Sequence, residues 1–195
     1  MSPYAIHRGD GERRAQVEAW LAGLDLVSPP VRERIVTGWV SSWMSSPYEA
    51  LDDMPYSPLA QSYQLKQHIN EVTRTGIDLA RRAAQEWGER LDFDALVSIL
   101  TMHDVDKPLL YVRDGGMVSY SRLAKELPHG VVGAMLLKEL GFPHLVVSTV
   151  ATHASNAPFH GSSFEAYVLH YADFFATDHA CMREGVTPYY QRHWR

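Results

Sequence analysis

Four histidines and two aspartates are distributed along the sequence in a pattern that suits a metal centre. They are His68, the adjacent pair His103-Asp104, His129, His153 and Asp173. Neutral imidazoles and carboxylates are good ligands for divalent metal ions. Six such groups are too many for one ion that keeps an open coordination position, so they suit two ions that share a carboxylate. Two divalent ions and two aspartates leave a charge of about +2, which can bind an anion and lower the pKa of a bound water to ~7.

Helices must position these side chains, because apolar residues recur at helical spacing through most of the sequence. The segments with this spacing are 12–24, 31–44, 61–87, 92–103, 130–140, 144–153 and 163–183. His68 shares a face of the long helix 61–87 with Leu65 and Val72. The other five residues lie within later helices or at their ends. Helix bundles build metal sites in this way, from side chains of facing helices.

The fold class predicted from these segments is all-α, with one small β-hairpin. Two β-rich runs flank Asp114-Gly115-Gly116 within residues 109–120, and this pattern is a hairpin signal. Residues 45–58 contain two Ser-Pro steps and Pro55, so they are predicted to form a loop. Strands that alternate with helices would indicate a central sheet, and the sequence has no such alternation.

The 195 residues are expected to form a single domain, 1–195, with a helical N-terminal extension (1–58), a core (59–183) and a C-terminal tail (184–195). A net charge of −5 offers no basic surface, so nucleic acid is not expected as an obligate partner. The single cysteine, Cys181, suits a reducing compartment. The sequence shows neither a run of ~20 apolar residues nor a signal peptide. We therefore expect a cytoplasmic protein without a membrane partner.

The order of the six residues resembles the HD-domain superfamily of metal-dependent phosphohydrolases. Its pattern is a lone histidine, an adjacent His-Asp pair and a distant aspartate on a helix, and two intervening histidines are typical of members that hold two metals. Lys107 completes an HDxxK form found in several dinuclear subgroups, although Asp106 stands where relatives often have a small residue. The segment LHYADFFATD (169–178) resembles the final helix of the superfamily. The resemblance covers residues 60–182.

The resemblance implies an HD-domain helical bundle with the N-terminal helices packed on it. It also implies that Asp104 bridges two divalent ions, Fe or Mn in the first place, with Co, Ni, Zn or Mg as alternatives. His68, His103 and Asp173 would hold one ion, and His129 and His153 the other. A metal-bound hydroxide would then attack a small, anionic phosphorylated metabolite or nucleotide. Asp104 and Lys107 are the catalytic candidates, with Lys107 neutralising charge on the phosphoryl group.

Several alternatives remain open in the sequence. Some HD proteins use the same ligand types to hold two irons and cleave C–C or C–P bonds with O₂, and a non-catalytic ligand-binding module is a third interpretation. Lys107, His160 and His170 are candidate substrate contacts, although Lys107 also suits a solvated turn. His170 also suits a residue that orients a ligand or packs on a neighbour. Asp106 suits either a supporting carboxylate or a turn. A homo-oligomer is compatible with the aromatic termini, and no acid for the leaving group is assigned.

Overall fold

The structure is a computed structural model that describes residues 2–154 and 161–192. Its helices are α1 (Gly11–Trp20), α2 (Pro29–Met44), α3 (Leu65–Trp87), α4 (Phe93–Met102), α5 (Lys107–Leu110), α6 (Arg122–Glu126), α7 (Val131–Glu139), α8 (His144–Thr152), α9 (Phe164–Arg183) and α10 (Tyr189–Arg192). Its strands are β1 (Pro55–Ser57), β2 (Ala60–Gln64), β3 (Tyr111–Asp114) and β4 (Met117–Tyr120). The strands form two antiparallel hairpins, β1–β2 and β3–β4. The described part of the chain is therefore mostly helical, as predicted.

Helix α4 lies at the centre of the bundle because its sequence is apolar on every side. Each residue from 95 to 102 is buried, as expected for a helix that is apolar all round. Asp92 begins the helix by accepting a hydrogen bond from the backbone N–H of Ala95, which satisfies one of the free donors of the first turn. Helices α2, α3, α8 and α9 pack around it. The C-terminal end of α4 therefore carries His103-Asp104 into the interior of the bundle.

Helices α3 and α9 pack against each other and bring two more of the six residues to the same region. The inner face of α3 buries His68 and Ile69. Gly76 allows α3 to approach α4 closely, because a Cβ at that position would lie 2.5 Å from Leu100 Cδ2. Gly88 caps α3 in the left-handed conformation, with φ of 74°, which is the usual role of glycine at a helix C-terminus.

The N-terminal helices share one apolar core with the rest of the bundle. In α2, the indole N–H of Trp39 donates a hydrogen bond of 3.0 Å to the backbone carbonyl of Thr101. The hydroxyl of Ser42 donates a hydrogen bond of 2.5 Å to the backbone carbonyl of Val105. These two carbonyls lie on either side of His103-Asp104. Helix α2 therefore fixes the backbone turn that carries two of the six residues.

The hairpin predicted within residues 109–120 is confirmed. Strands β3 and β4 pair from Tyr111–Tyr120 to Asp114–Met117, and the turn between them is Gly115-Gly116. Both glycines have positive φ, 54° and 86°. A two-residue hairpin turn of type I′ requires positive φ at both of its central residues.

Residues 45–64 differ from the prediction. The segment 45–58, predicted as a loop, contains β1, and the helix predicted from residue 61 begins at Leu65 because residues 60–64 form β2. The hairpin closes a small apolar cluster whose members are Tyr56, Ala60, Tyr63 and Ala180. Residues 60–64 therefore form a strand although their sequence continues a helical pattern, because the strand brings them into contact with α9. The described chain has two hairpins where the sequence predicts one.

Some helix ends also differ from the prediction. The first helix ends at Trp20 and not at residue 24, because the backbone is extended at Leu21 and left-handed at Gly23, where φ is 80°. Helices α5, α6 and α10 have no counterpart among the predicted segments, since four or five residues carry too little periodicity to be recognised. Across the residues that the structure describes, every helix is too short or too polar to cross a membrane.

Candidate metal centre

The structure brings all six predicted residues to one place. His68 comes from α3, and His103-Asp104 follow the last residue of α4. The other three arrive from the second half of the chain. His129 lies two residues before α7, His153 caps the end of α8, and Asp173 lies within α9. Five separate helices therefore supply one cluster, as the helical pattern predicts.

One half of the cluster surrounds the Nε2 atom of His68. This atom lies 3.2 Å from Nε2 of His103, 3.2 Å from Oδ2 of Asp104 and 3.2 Å from Oδ1 of Asp173. The Nε2 atom of His103 lies 3.3 Å from the same Oδ2 of Asp104. His68, His103 and Asp104 are all buried and form a group whose ligand atoms could hold a metal ion.

The other half of the cluster surrounds the second oxygen of Asp104. Oδ1 lies 2.7 Å from Nε2 of His129 and 3.6 Å from Nε2 of His153. These three residues form a second group that could hold a metal ion. The two oxygens of Asp104 therefore face different pairs of histidines, which is the arrangement that a shared carboxylate needs.

The histidines at the ends of α4 and α8 have their tautomers set by the backbone. Nδ1 of His103 lies 2.9 Å from the carbonyl oxygen of Leu100, and Nδ1 of His153 lies 2.7 Å from that of Val150. A carbonyl only accepts, so each Nδ1 carries the proton and each Nε2 presents a lone pair to the cluster. Nε2 of His153 is buried without a hydrogen-bond partner. A cation bound between this nitrogen and Oδ1 of Asp104 would satisfy it, so the residues fit a metal site.

The electrostatics of the cluster also favour cations. Burial by itself raises the pKa of Asp104, but the charge of Lys107 is the largest effect that holds it well below its usual range. Burial likewise raises the pKa of Asp173, and the hydrogen bond to His68 is the largest effect that brings it below its usual range. Burial lowers the pKa of His129, but the carboxylate of Asp106, followed by Asp104, raises it to about 10. Ionised buried carboxylates thus draw positive charge to this point.

Asp106 contacts the Nδ1 side of the His129 ring, which faces away from Asp104. Its Oδ1 lies 2.9 Å from Nδ1 of His129, and its Oδ2 accepts hydrogen bonds from the backbone N–H groups of Gly130 (2.8 Å) and Gly133 (3.2 Å). Gly130 has a φ of 89°, and a Cβ there would lie 2.5 Å from the carbonyl oxygen of Val150. The sequence allows Asp106 to be either a supporting carboxylate or a turn residue. These contacts favour the supporting carboxylate, which links the start of α7 to the cluster.

Lys107 is buried rather than solvated, with 5% of its surface exposed. Its Nζ lies 2.6 Å from Oδ2 of Asp104 and 3.8 Å from the centre of the Tyr56 ring. The lysine therefore borders the cluster, as expected. Asp104 is the carboxylate that it approaches, while Asp106 faces His129.

Tyr56 is the neighbour of the cluster that sequence reasoning missed. Its ring lies 4.0 Å from that of His68, centre to centre. Its hydroxyl is 2.6 Å from the hydroxyl of Thr177, which in turn donates to Oδ1 of Asp173. The contacts of Tyr56 depend on the β1–β2 hairpin, which local spacing in the sequence does not reveal.

The two remaining candidate substrate contacts have different outcomes. The ring of His170 packs on Phe174, with ring centres 4.8 Å apart. Phe174 lines the cavity that opens onto the cluster, and His170 is not among the residues that line it. His160 lies outside the described residues.

A cavity of about 550 Å³ opens onto the cluster. Its inner end is formed by residues of the cluster together with Lys107. Much of the rest of its lining is aromatic. The aromatic lining residues are Tyr56, Tyr111, Tyr120, Phe174 and Tyr189. A pocket of this volume suits a small molecule, which would place one end of that molecule against the cluster.

Comparison with known proteins finds a relative of known activity. The chain is 30% identical over 112 residues to the dihydroneopterin 2',3'-cyclic phosphate phosphodiesterase of Methanocaldococcus jannaschii. The aligned region is 56% of this chain and 44% of the relative, so the chain spans less than half of the length of the protein that it matches. No family model matches the sequence, and no solved structure matches it. The relative is, by its name, a phosphodiesterase that acts on a small phosphorylated metabolite.

Proposed function

We propose that this chain is a metal-dependent hydrolase of the HD type that cleaves phosphoric esters of a small metabolite. The observation that carries the proposal is the position of Asp104, whose two oxygens each face a separate pair of histidines. The similarity to a phosphodiesterase supports the same reaction class. A cyclic phosphodiester is accordingly the first substrate class to test.

Two divalent ions fit the cluster. His68, His103 and Asp173 would hold one ion, His129 and His153 the other, and Asp104 would contact both. When bound, such ions supply an acidified water as nucleophile and neutralise charge on the phosphoryl oxygens. Iron or manganese suits this mixture of imidazole and carboxylate ligands.

The residues of the chain contribute binding and orientation. Lys107 presents an ammonium group beside Asp104, where it can donate a hydrogen bond to a phosphoryl oxygen as charge develops. Asp106 holds the ring of His129 through Nδ1, so that Nε2 stays directed at Asp104. The aromatic outer wall of the cavity limits the water that surrounds a bound substrate.

The test of this proposal separates hydrolysis from oxygen chemistry, because the same ligand types serve both. The protein is purified without oxygen, its metals are quantified, and ring opening of nucleoside 2',3'-cyclic phosphates is followed in parallel with O₂ consumption. We expect about two metal equivalents per chain and hydrolysis that chelators abolish. Oxygen consumption with no cleavage of any phosphoric ester would contradict the proposal and favour the di-iron oxygenase alternative.

Replacing His153 by alanine is expected to remove mainly one of two metal equivalents, because His153 faces only Oδ1 of Asp104. His144, an exposed residue at the start of the same helix, provides the matched control, and His144→Ala should keep both equivalents. Elemental analysis of the purified proteins measures the outcome. A His153→Ala protein that retains two equivalents would show that the assignment of a second ion is wrong.

Tyr56 offers a test of how the wall of the site positions Lys107. Tyr56→Leu removes the ring beneath the ammonium group and is expected to lower kcat/KM roughly 3- to 30-fold, the range that cation–π contacts span between exposed and desolvated sites. Tyr56→Phe keeps the ring and should remain within about threefold of the native chain, since only the contact with Thr177 is lost. Tyr63→Leu, in the same apolar cluster, is the control for packing. Equal losses in Tyr56→Phe and Tyr56→Leu would assign the effect to the hydroxyl.

A further inference from the structure

The cavity is larger than a phosphoryl group requires. Its volume of about 550 Å³ lies within the range of pockets that enclose most of a drug-sized ligand. Asp104, Lys107, His129 and His153 line only part of it. The remaining part, called the outer part here, is available to another portion of the molecule that binds there.

Two aromatic pairs from distant parts of the chain border that outer part. Tyr111 and Tyr120, on β3 and β4, meet edge to face with ring centres 5.6 Å apart. Phe174 on α9 and Tyr189 on α10 meet in the same way, also at 5.6 Å. All four side chains line the cavity, and Tyr120 is 54% exposed. The ring of Tyr120 is therefore accessible to a molecule in the cavity.

The charges around the cavity restrict what the aromatic wall can bind. Among the described lining residues, the carboxylates are Asp104 and Asp173, and both belong to the metal centre. The outer part contributes a positive charge from Lys125 and otherwise aromatic, aliphatic and hydroxyl groups. A cationic group would find no carboxylate there. An uncharged planar ring would find ring faces and edges to pack against and hydroxyl groups at its rim.

We propose that the wall formed by Tyr111, Tyr120, Phe174 and Tyr189 binds a planar heteroaromatic ring of the substrate while its phosphoryl group lies at the metal centre. This inference rests on the proposed function and narrows the substrate class to phosphoric esters that carry such a ring. Stacking of a nucleobase on an aromatic side chain contributes ~1–3 kcal/mol. The wall therefore provides substrate selection that the metal ligands do not.

The test compares probes that differ only in the ring. The metal-loaded protein is titrated in a calorimeter with guanosine 5'-monophosphate, uridine 5'-monophosphate and ribose 5-phosphate, and both phosphate release from these probes and ring opening of nucleoside 2',3'-cyclic phosphates are measured with the same preparation. We expect both nucleotides to bind at least ~10-fold more tightly than ribose 5-phosphate. Tyr120→Leu and Tyr189→Leu should each weaken nucleotide binding by roughly 5- to 100-fold and leave the affinity for ribose 5-phosphate unchanged. Tyr190→Leu, at the exposed neighbour of Tyr189, should change neither.

The outcomes are distinguishable from failure of the proposed function. Equal affinity of the native protein for the three probes would overturn the inference without any variant. Equal loss for all probes in Tyr120→Leu and Tyr189→Leu would also overturn it, because it would indicate a structural effect. Tight, ring-dependent binding by a protein that cleaves no phosphoric ester would reject the hydrolase and keep the ring site. Hydrolysis of phosphoric esters together with equal affinity for the probes with and without a ring would reject the ring site and keep the hydrolase.

Discussion

Asp104→Asn is expected to lose both metal ions and to lower hydrolysis by at least about 10³-fold, since both the acidified water and the charge neutralisation depend on the ions. Asn has nearly the same shape as Asp but no charge, and its amide nitrogen cannot coordinate a metal. The side chain lies 2.7 Å from His129 and 3.2 Å from His68, so one substitution affects both halves of the cluster. Elemental analysis and kcat/KM on a cyclic phosphodiester measure the two effects.

The same substitution also tests the fold. Lys107 lies 2.6 Å from Asp104, and breaking a buried ion pair costs about 3–5 kcal/mol because one charge remains unpaired. A lower melting temperature of the metal-free variant is therefore expected, and circular dichroism must show that it remains helical. Asp78→Asn, at an exposed position of α3, is the control. An Asp104→Asn protein with the native metal content would show that Asp104 is not the shared ligand.

Lys107→Met is expected to separate catalysis from metal binding. An ammonium group has donors but no lone pair, so its removal should leave the metal content intact. Loss of one charge-assisted contact to the phosphoryl group costs about 1.5–3 kcal/mol, which corresponds to roughly 10- to 100-fold in kcat/KM. Methionine keeps most of the side-chain volume next to Tyr56, so the surrounding packing changes little.

The control for Lys107→Met is Lys138→Met, which removes an exposed lysine of α7 and should leave kcat/KM unchanged. Both proteins are measured fully metallated, with elemental analysis of the same preparation. A native kcat/KM in Lys107→Met would show that this lysine neutralises Asp104 in the folded protein and has no part in turnover.

The sequence was sufficient to predict which six residues would meet, because the spacing of residues along a helix determines which face of the helix each of them occupies. His68 on an apolar face and His103-Asp104 at the end of an apolar helix must face the interior, whatever the angles between the helices. The pairing of β1 with β2 was not predictable in this way. It joins residues that carry a helical pattern locally, and the partner that decides the outcome is α9, more than 100 residues away.

The contacts of the Lys107 and Tyr56 side chains were likewise not predictable from the sequence. Spacing places Lys107 near His103, but its burial depends on the ring of Tyr56, which a distant hairpin delivers. The role of Asp106 depends on the backbone conformation at Gly130. Contacts of this kind arise from tertiary packing, and a single sequence carries no local signal for them.

The hydrogen bonds from α2 to the turn at His103-Asp104 have a consequence for the dynamics of the chain. Because Trp39 and Ser42 hold the carbonyls on either side of that turn, α2 cannot unfold locally without releasing two residues of the cluster. The free energy of metal binding therefore adds to the protection of α2, a helix that supplies no side chain to the cluster. Amide hydrogen exchange in α2 should slow when metal is added, so a helix that provides no ligand reports on the occupancy of the centre.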